Sequence, residues 1–379
     1  MKIEQNVWYA DGGLKTGVDT SLGKSAQLVL AFGGTDALRE PKHFASIRQA
    51  YPGAKIIGCS TAGEIGGEKV RDESLIVTAC QFDGTPVRLA SIELKNAADS
   101  FDAGRRLAQT LPHEDLVHLF VISEGIKVNG SELVKGLAKG LPANVAVTGG
   151  LSGDGARFEQ TLVYADAPAR SGIVAAIGFY GRRIKIGYGC KGGWDAFGPM
   201  RRITRSKGNV LYELDSQSAL SLYKKYLGEH AAQLPSSALQ FPLNLRITEK
   251  SAPVARTILA VDEKAQSMTF AGDIPQGAFA QMMMANFDRL VDGARDAAMT
   301  CCQGVPMGSA TLAVLISCVG RKLVLKQAIE DEVEAVRDVV GSQAAITGFY
   351  SYGEICPFAP SGACELHNQT MTITTLAEA

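Results

Sequence analysis

Short uninterrupted apolar runs alternate with amphipathic stretches along this chain, and their order repeats. Residues 26–32 form an apolar run of the kind that predicts a strand buried on both faces. A helical stretch over 41–50 follows, then a second strand over 54–59 that ends in a glycine turn, and another strand over 74–82. The same succession returns at 117–123, 131–140 and 144–148, with a later strand at 173–179, and again at 311–318, 328–340 and 344–347. Residues 364–376 alternate and read as one strand, with His367, Met371 and Ile373 on its apolar side.

The turns repeat as closely as the strands do. Residues 56–65 (IIGCSTAGEI) come back as 346–355 (ITGFYSYGEI) with five of ten positions identical, and residues 147–154 (VTGGLSGD) are a looser copy shortened by one residue. Such recurrence predicts one structural unit used three times. Each turn carries an acid (Glu64, Asp154 and Glu354), and the three turns are expected to frame one site. The fold class is α/β, with repeated strand-helix-strand units forming mixed sheets in two domains, 1–207 and 208–379. The boundary falls where strand pairs broken by glycines give way to a helix over 218–227 closed by Gly228. A helical apolar face over 286–302 reads as core.

Composition narrows the function classes. At 379 residues, 46% of them apolar, the chain supports more than one core. Lys plus Arg (38) nearly cancels Asp plus Glu (39) and the charges are dispersed, so neither nucleic acid nor an anionic membrane is an expected partner. The first residues lack the apolar core of a signal peptide and no run reaches membrane-spanning length, so a cytoplasmic location is expected. The eight cysteines form no CxxC pair and fit reduced, buried thiols.

Several apparent motifs lack their context. Residues 187–192 satisfy GxGxxG, but Gly193, Gly198 and Pro199 forbid the helix whose N-terminus would hold a pyrophosphate. Residues 17–25 resemble a phosphate loop with one residue too many between the glycines, and they precede a strand instead of following one. Neither Cys59 and Ser60 nor Ser152 lies in a GxSxG elbow, and sequence places no histidine beside them. The chain is therefore read as a non-enzyme.

The remaining candidates are His367, read either as a core histidine bonded to a carbonyl or as an axial iron ligand, and Arg321. Its guanidinium, near the end of the 311–318 strand, could grip a carboxylate or form a structural ion pair with Glu354 or another acid. The turn acids either accept from local amides or line a ligand site. Cys59 and Cys318 are either inert hydrophobes or thiolate ligands.

With these residues in place, the chain resembles the FIST family of bacterial sensory proteins. The likeness runs through 57–65 and 149–154, then 209–227, the Cys318-Val319-Gly320-Arg321 segment, 348–355 and His367-Asn368, covering nearly the whole chain. That resemblance implies small-molecule sensing in signal transduction, with amino acids proposed as ligands and a subgroup of haem proteins that sense nitric oxide. It carries His367 over as ligand to the iron of haem b, with Arg321, Cys318, Gly348, Tyr352, Glu354, Cys59, Ser60 and Ser152 around the cofactor. It also implies a separate output partner, a histidine kinase or a cyclic-di-GMP enzyme, and a homodimer is compatible with it. The alternative is a haem-free sensor module that takes an amino acid through Arg321 and the turn acids. An enzyme using Cys59 and a purely structural interaction protein are the further rivals.

Overall fold

Gly58, Gly149 and Gly348, the glycines that recur in the sequence, occupy equivalent places in the fold. A Cβ at each would lie 1.8, 1.8 and 1.9 Å from the carbonyl oxygens of Ala31, Val121 and Leu315 on the neighbouring parallel strand. Only glycine lets the second strand of each unit press this closely on the first. A computed structural model describes residues 1–9, 20–251, 253–357 and 364–379. Most of the phosphate-loop-like stretch at 17–25 lies within that range, but residues 17–19 lie outside the described residues.

Each unit builds a mixed sheet in the same spatial order. In the first, Lys2–Tyr9, Ser74–Gln81, Leu28–Gly33 and Lys55–Ser60 lie side by side; in the second, Val87–Glu93, Ile173–Tyr180, Leu116–Ser123 and Ala146–Leu151 do so. The third uses Ile184–Lys191, Met371–Glu378, Leu312–Cys318 and Ala345–Ser351. Each sheet is then completed by a strand that follows another unit's turn. Val163–Ala165 of the second unit joins the first sheet, Gly353–Pro357 of the third joins the second, and Glu64–Gly66 of the first joins the third.

Inward faces of the three sheets meet in one core that includes Leu30, Phe32, Ile57, Cys59, Phe120, Ile177, Val314 and Phe349. The rings of Phe32 and Phe349 stand 4.8 Å apart within it. Helices Pro41–Ala50, Ser100–Thr110, Gly130–Gly140, Phe287–Cys301 and Ile329–Val340 cover the outward faces, burying apolar stripes such as Val333, Val336 and Val340. Residues 195–284 add an antiparallel sheet with its own core around Ile203, Leu220, Met268 and Phe270.

Two local readings change. The stretch 364–376 is not one strand: Cys364–His367 pairs with Gly353–Pro357 in the second sheet, while Met371–Glu378 belongs to the third. The break comes at Gln369, whose backbone is left-handed (φ 62°), and at Thr370, whose N–H and hydroxyl both donate to Glu354. Arg321 lies in the first turn of a short helix, Val319–Leu325, and not at a strand edge. Among the described residues no helix is long and apolar enough to cross a membrane.

Candidate functional site

The three glycine turns converge at one end of the three-sheet core and bond to one another in a ring. Gly153 donates its N–H to Ser60 O, Tyr352 to Leu151 O, and Ala62 to Tyr350 O, which closes the circuit. Ser60 and Ser152 hold this hub from within. Ser60 Oγ donates to Gly153 O at 2.7 Å and accepts from Leu162 N–H at 2.9 Å, and Ser152 Oγ donates to Ser123 O at 2.8 Å. Tyr352 stacks on Phe158 with centroids 4.2 Å apart.

The turn acids are pinned by their own surroundings. Glu64 accepts from Thr61 Oγ1 at 2.5 Å and from the N–H and hydroxyl of Ser74, the first residue of the Ser74–Gln81 strand. Glu354 accepts from Ser351 Oγ at 2.6 Å and from both donors of Thr370, so the two units use the same device. Burial pushes the Glu64 carboxyl up to about 7 and that of Glu354 up to about 8, against the pull of these donors. Asp154 differs: burial is outweighed by Arg157 and Thr35, and its carboxyl lies below the usual range.

Arg321 is fully buried and fully engaged. Nε and Nη2 donate to Glu332 Oε2 at 2.9 and 2.6 Å, Nη2 also to Leu290 O at 2.8 Å, and Nη1 to Gly192 O. The other oxygen of Glu332 accepts from Ser317 Oγ at 3.0 Å and Tyr350 Oη at 2.7 Å. The ion-pair partner is thus Glu332, not Glu354. Sequence reading passed over Glu332, although a glutamate on the apolar stripe with Val333 and Val336 is a legible anomaly.

Of the two carbonyls that Arg321 holds, that of Gly192 belongs to a residue lining an open cleft of about 510 Å³, and that of Leu290 to the helix on its other side, next to the lining residue Arg289. One wall is residues 191–194; the other is Arg289, Asp292, Gly293 and Asp296 of the Phe287–Cys301 helix. Gly193 brings them together, since a Cβ there would stand 2.0 Å from Arg289 O. Trp194 Nε1 donates to Gln369 O at 2.7 Å. The same segment contains buried polar atoms without hydrogen-bond partners among the described residues: both amide atoms of Asn368, Gln369 Oε1 and Thr372 Oγ1.

His367 is 4% exposed, and its Nε2 lies 3.0 Å from the carbonyl of Cys356. Its ring also interacts with the Cys190 thiol. An iron ligand needs an imidazole lone pair directed at the metal, and a haem needs an apolar slot beside it. With one nitrogen on a carbonyl and the ring against a thiol, His367 as placed does not fit a haem. Cys59 and Cys318 are buried, and burial raises both thiols well above the ordinary range. Among the described residues no group of three His, Cys, Asp or Glu side chains is arranged to hold a metal ion. The structure therefore brings Ser60, Ser152, Gly348, Tyr352 and Glu354 to the turn hub and its first strands; Arg321 reaches that hub through Glu332 and Tyr350, and His367 lies beside Cys356 and Cys190.

Comparison with known proteins follows the same outline. A FIST N domain profile matches residues 27–217 and a FIST C domain profile matches residues 219–357. No protein of curated function matches the sequence. Among solved structures, cyanuric acid hydrolase from A. caulinodans aligns over 100% of this chain and 99% of its own, at 9% identity and a TM-score of 0.37. A second cyanuric acid hydrolase structure aligns over the whole of both chains at 10% identity and a TM-score of 0.29. Neither score carries an argument about activity.

Proposed function

The chain belongs to the FIST family of sensory and signalling modules, and from that premise we propose that it is a non-enzymatic sensor for a small zwitterionic molecule of the amino-acid class. The observation that carries this reading is the open cleft with opposite charges on its walls, Lys191 and Arg289 with Asp292 and Asp296. Lys191 faces a helix wall that carries Arg289, Asp292 and Asp296, and this mixed charge beside a glycine-lined gap suits a ligand that brings a carboxylate and an ammonium group, which would compete with the pairs Arg289–Asp195 (2.7 Å) and Asp292–Arg295 (2.9 Å).

Arg321 then acts as a positioning residue. It holds Gly192 O on one wall and Leu290 O within the helix that carries the other, and its partner Glu332 holds Tyr350 at the turn hub. A ligand that displaces the 191–194 segment shifts Arg321 through Gly192 O, and Glu332 passes the shift toward the hub. The receiver is a separate output protein, a histidine kinase or a cyclic-di-GMP enzyme. In the haem reading, His367 would first have to leave Cys356 and Cys190, so nitric oxide sensing through haem takes second place.

The test is calorimetric titration of the whole protein with the common amino acids, repeated on Lys191→Ala/Asp292→Ala, alongside visible absorption after haem addition. At least one amino acid is expected to bind, and the double variant to lose affinity tenfold or more. Absence of binding by every amino acid sinks this reading. A Soret band abolished by His367→Ala would establish the haem reading instead.

A further inference from the structure

Two consecutive amides, Asn368 and Gln369, are buried with bonding capacity to spare. Asn368 is 1% exposed, and neither Nδ2 nor Oδ1 has a partner among the described residues; Gln369 is fully buried, and its Oε1 has none. Buried amide atoms that find no partner within a chain mark places where water or a ligand completes the bonding.

Gln369 lies directly behind one wall of the open cleft, with Asn368 beside it. Trp194, which lines that wall, donates to Gln369 O, and a Cβ on its neighbour Gly192 would stand 3.6 Å from the same oxygen. The Gln369 side chain rests on Gly320, where a Cβ would stand 2.5 Å from Oε1, and its Nε2 donates to Leu239 O at 3.2 Å. On the other side of Asn368, Leu366 O accepts from Arg256 Nη1 at 3.0 Å. Leu239 and Arg256 belong to residues 195–284, so the two amides sit where that added layer meets the three-sheet body. Trp194 separates them from the cleft, and it follows Gly192 and Gly193, the second with a left-handed backbone (φ 89°).

Given an amino acid in the cleft, the reading on which this one rests, we propose that Asn368 and Gln369 form an inner subsite that selects a primary carboxamide side chain, that of glutamine or asparagine, with Trp194 as its gate. Counting donors and acceptors decides the class. Asn368 offers two N–H donors and a carbonyl, and Gln369 a further carbonyl. A carboxylate side chain leaves both carbonyls without donors, an ammonium leaves the Asn368 N–H groups without an acceptor, and an aliphatic chain leaves all of them unpaired. A carboxamide brings one carbonyl and two N–H groups, which matches the vacancy in kind and in number. The nearby guanidinium of Arg321 does not alter this sum, because it is committed to Glu332, Leu290 O and Gly192 O. Rotation of Trp194 about the glycine pair, with loss of its bond to Gln369 O, opens the subsite to the cleft.

The test is calorimetric titration of the full chain with glutamine, asparagine, glutamate, aspartate and leucine, repeated on Asn368→Leu. Glutamine or asparagine is expected to bind at least about tenfold more tightly than the other three, and the variant to lose that preference. Amino acids that bind without preferring a carboxamide, or a preference that survives Asn368→Leu, overturn the subsite and leave Asn368 to buried water, while the cleft reading stands. Propionamide separates the two readings: if it binds in an Asn368-dependent way and no amino acid does, the subsite stands and the cleft reading falls, and if nothing binds, both fall. A readout on the unaltered protein does not depend on a variant folding. Saturating glutamine should shift the emission of Trp194, whereas Trp8, the other tryptophan, lies in a separate core. Unchanged emission at saturation overturns the gate.

Discussion

Arg321 and Glu332 meet at 2.6 Å with both side chains fully shielded from water. Breaking such a pair from one side leaves an uncompensated buried charge, which destabilises by about 3–5 kcal/mol. Arg321→Met should therefore lower the urea midpoint sharply, whereas Arg321→Met combined with Glu332→Leu should recover most of the loss. Equal destabilisation in the single and double variants would show that the carbonyl bonds to Gly192 and Leu290, and not the ion pair, carry the effect.

Stability should fall as pH rises from about 5 to 8. Glu354 and Glu64 have folded-state carboxyls near 8 and 7, above the range of an unfolded glutamate. Between those values the folded protein holds the protons more tightly, so raising the pH favours unfolding, and the penalty levels off above 8. Each group contributes at most about 1.4 kcal/mol per pH unit in its window. Denaturant melts at pH 5, 6.5 and 8 should show the decline, with Glu354→Gln flattening its upper part. An unchanged slope in that variant would place the titration elsewhere.

Gly348→Ala should be severe, and Gly208→Ala mild. The first puts a methyl group 1.9 Å from Leu315 O inside the third sheet, while the second meets nothing within 4 Å and only strains a backbone at φ 56°. Expected losses are about 4 kcal/mol or more against about 1 kcal/mol. Comparing thermal midpoints of the two, with Gly58→Ala and Gly149→Ala beside them, checks whether the three-fold repetition is energetic as well as geometric.

Ligand affinity at the cleft should weaken with salt. Lys191, Arg289, Asp292 and Asp296 are all exposed, so their attraction for a zwitterion is screened as ionic strength rises. Titrations at about 50 and 500 mM NaCl should show dissociation constants increasing by about threefold or more. A salt-independent constant would move the binding site into the interior.

Much of the fold was legible because the units repeat. The helices Pro41–Ala50, Gly130–Gly140 and Ile329–Val340 and the apolar strands fall where periodicity puts them, since burial on a repeated sheet leaves a repeated pattern. The convergence of the turns was legible for the same reason. Three features were not. The exchange of strands between units leaves no local mark, because Glu64–Gly66 and Gly353–Pro357 read like any short strand. The left-handed residue that splits 364–376 is a glutamine, a type that does not announce a break. The neighbourhood of Cys190 and His367 depends on two sheets touching, which no spacing along the chain encodes.

Because each unit lends a strand to the sheet of another, the three are interlocked like the corners of a folded carton. A polypeptide ending at residue 207 would leave the Ala146–Leu151 strand unpaired along its outer side, and the remainder would lack Ile184–Lys191 and Glu64–Gly66. Exposed sheet margins of that kind invite aggregation, so the halves should become soluble when produced together and not when produced apart. The two regions, 27–217 and 219–357, are thereby one folding partnership.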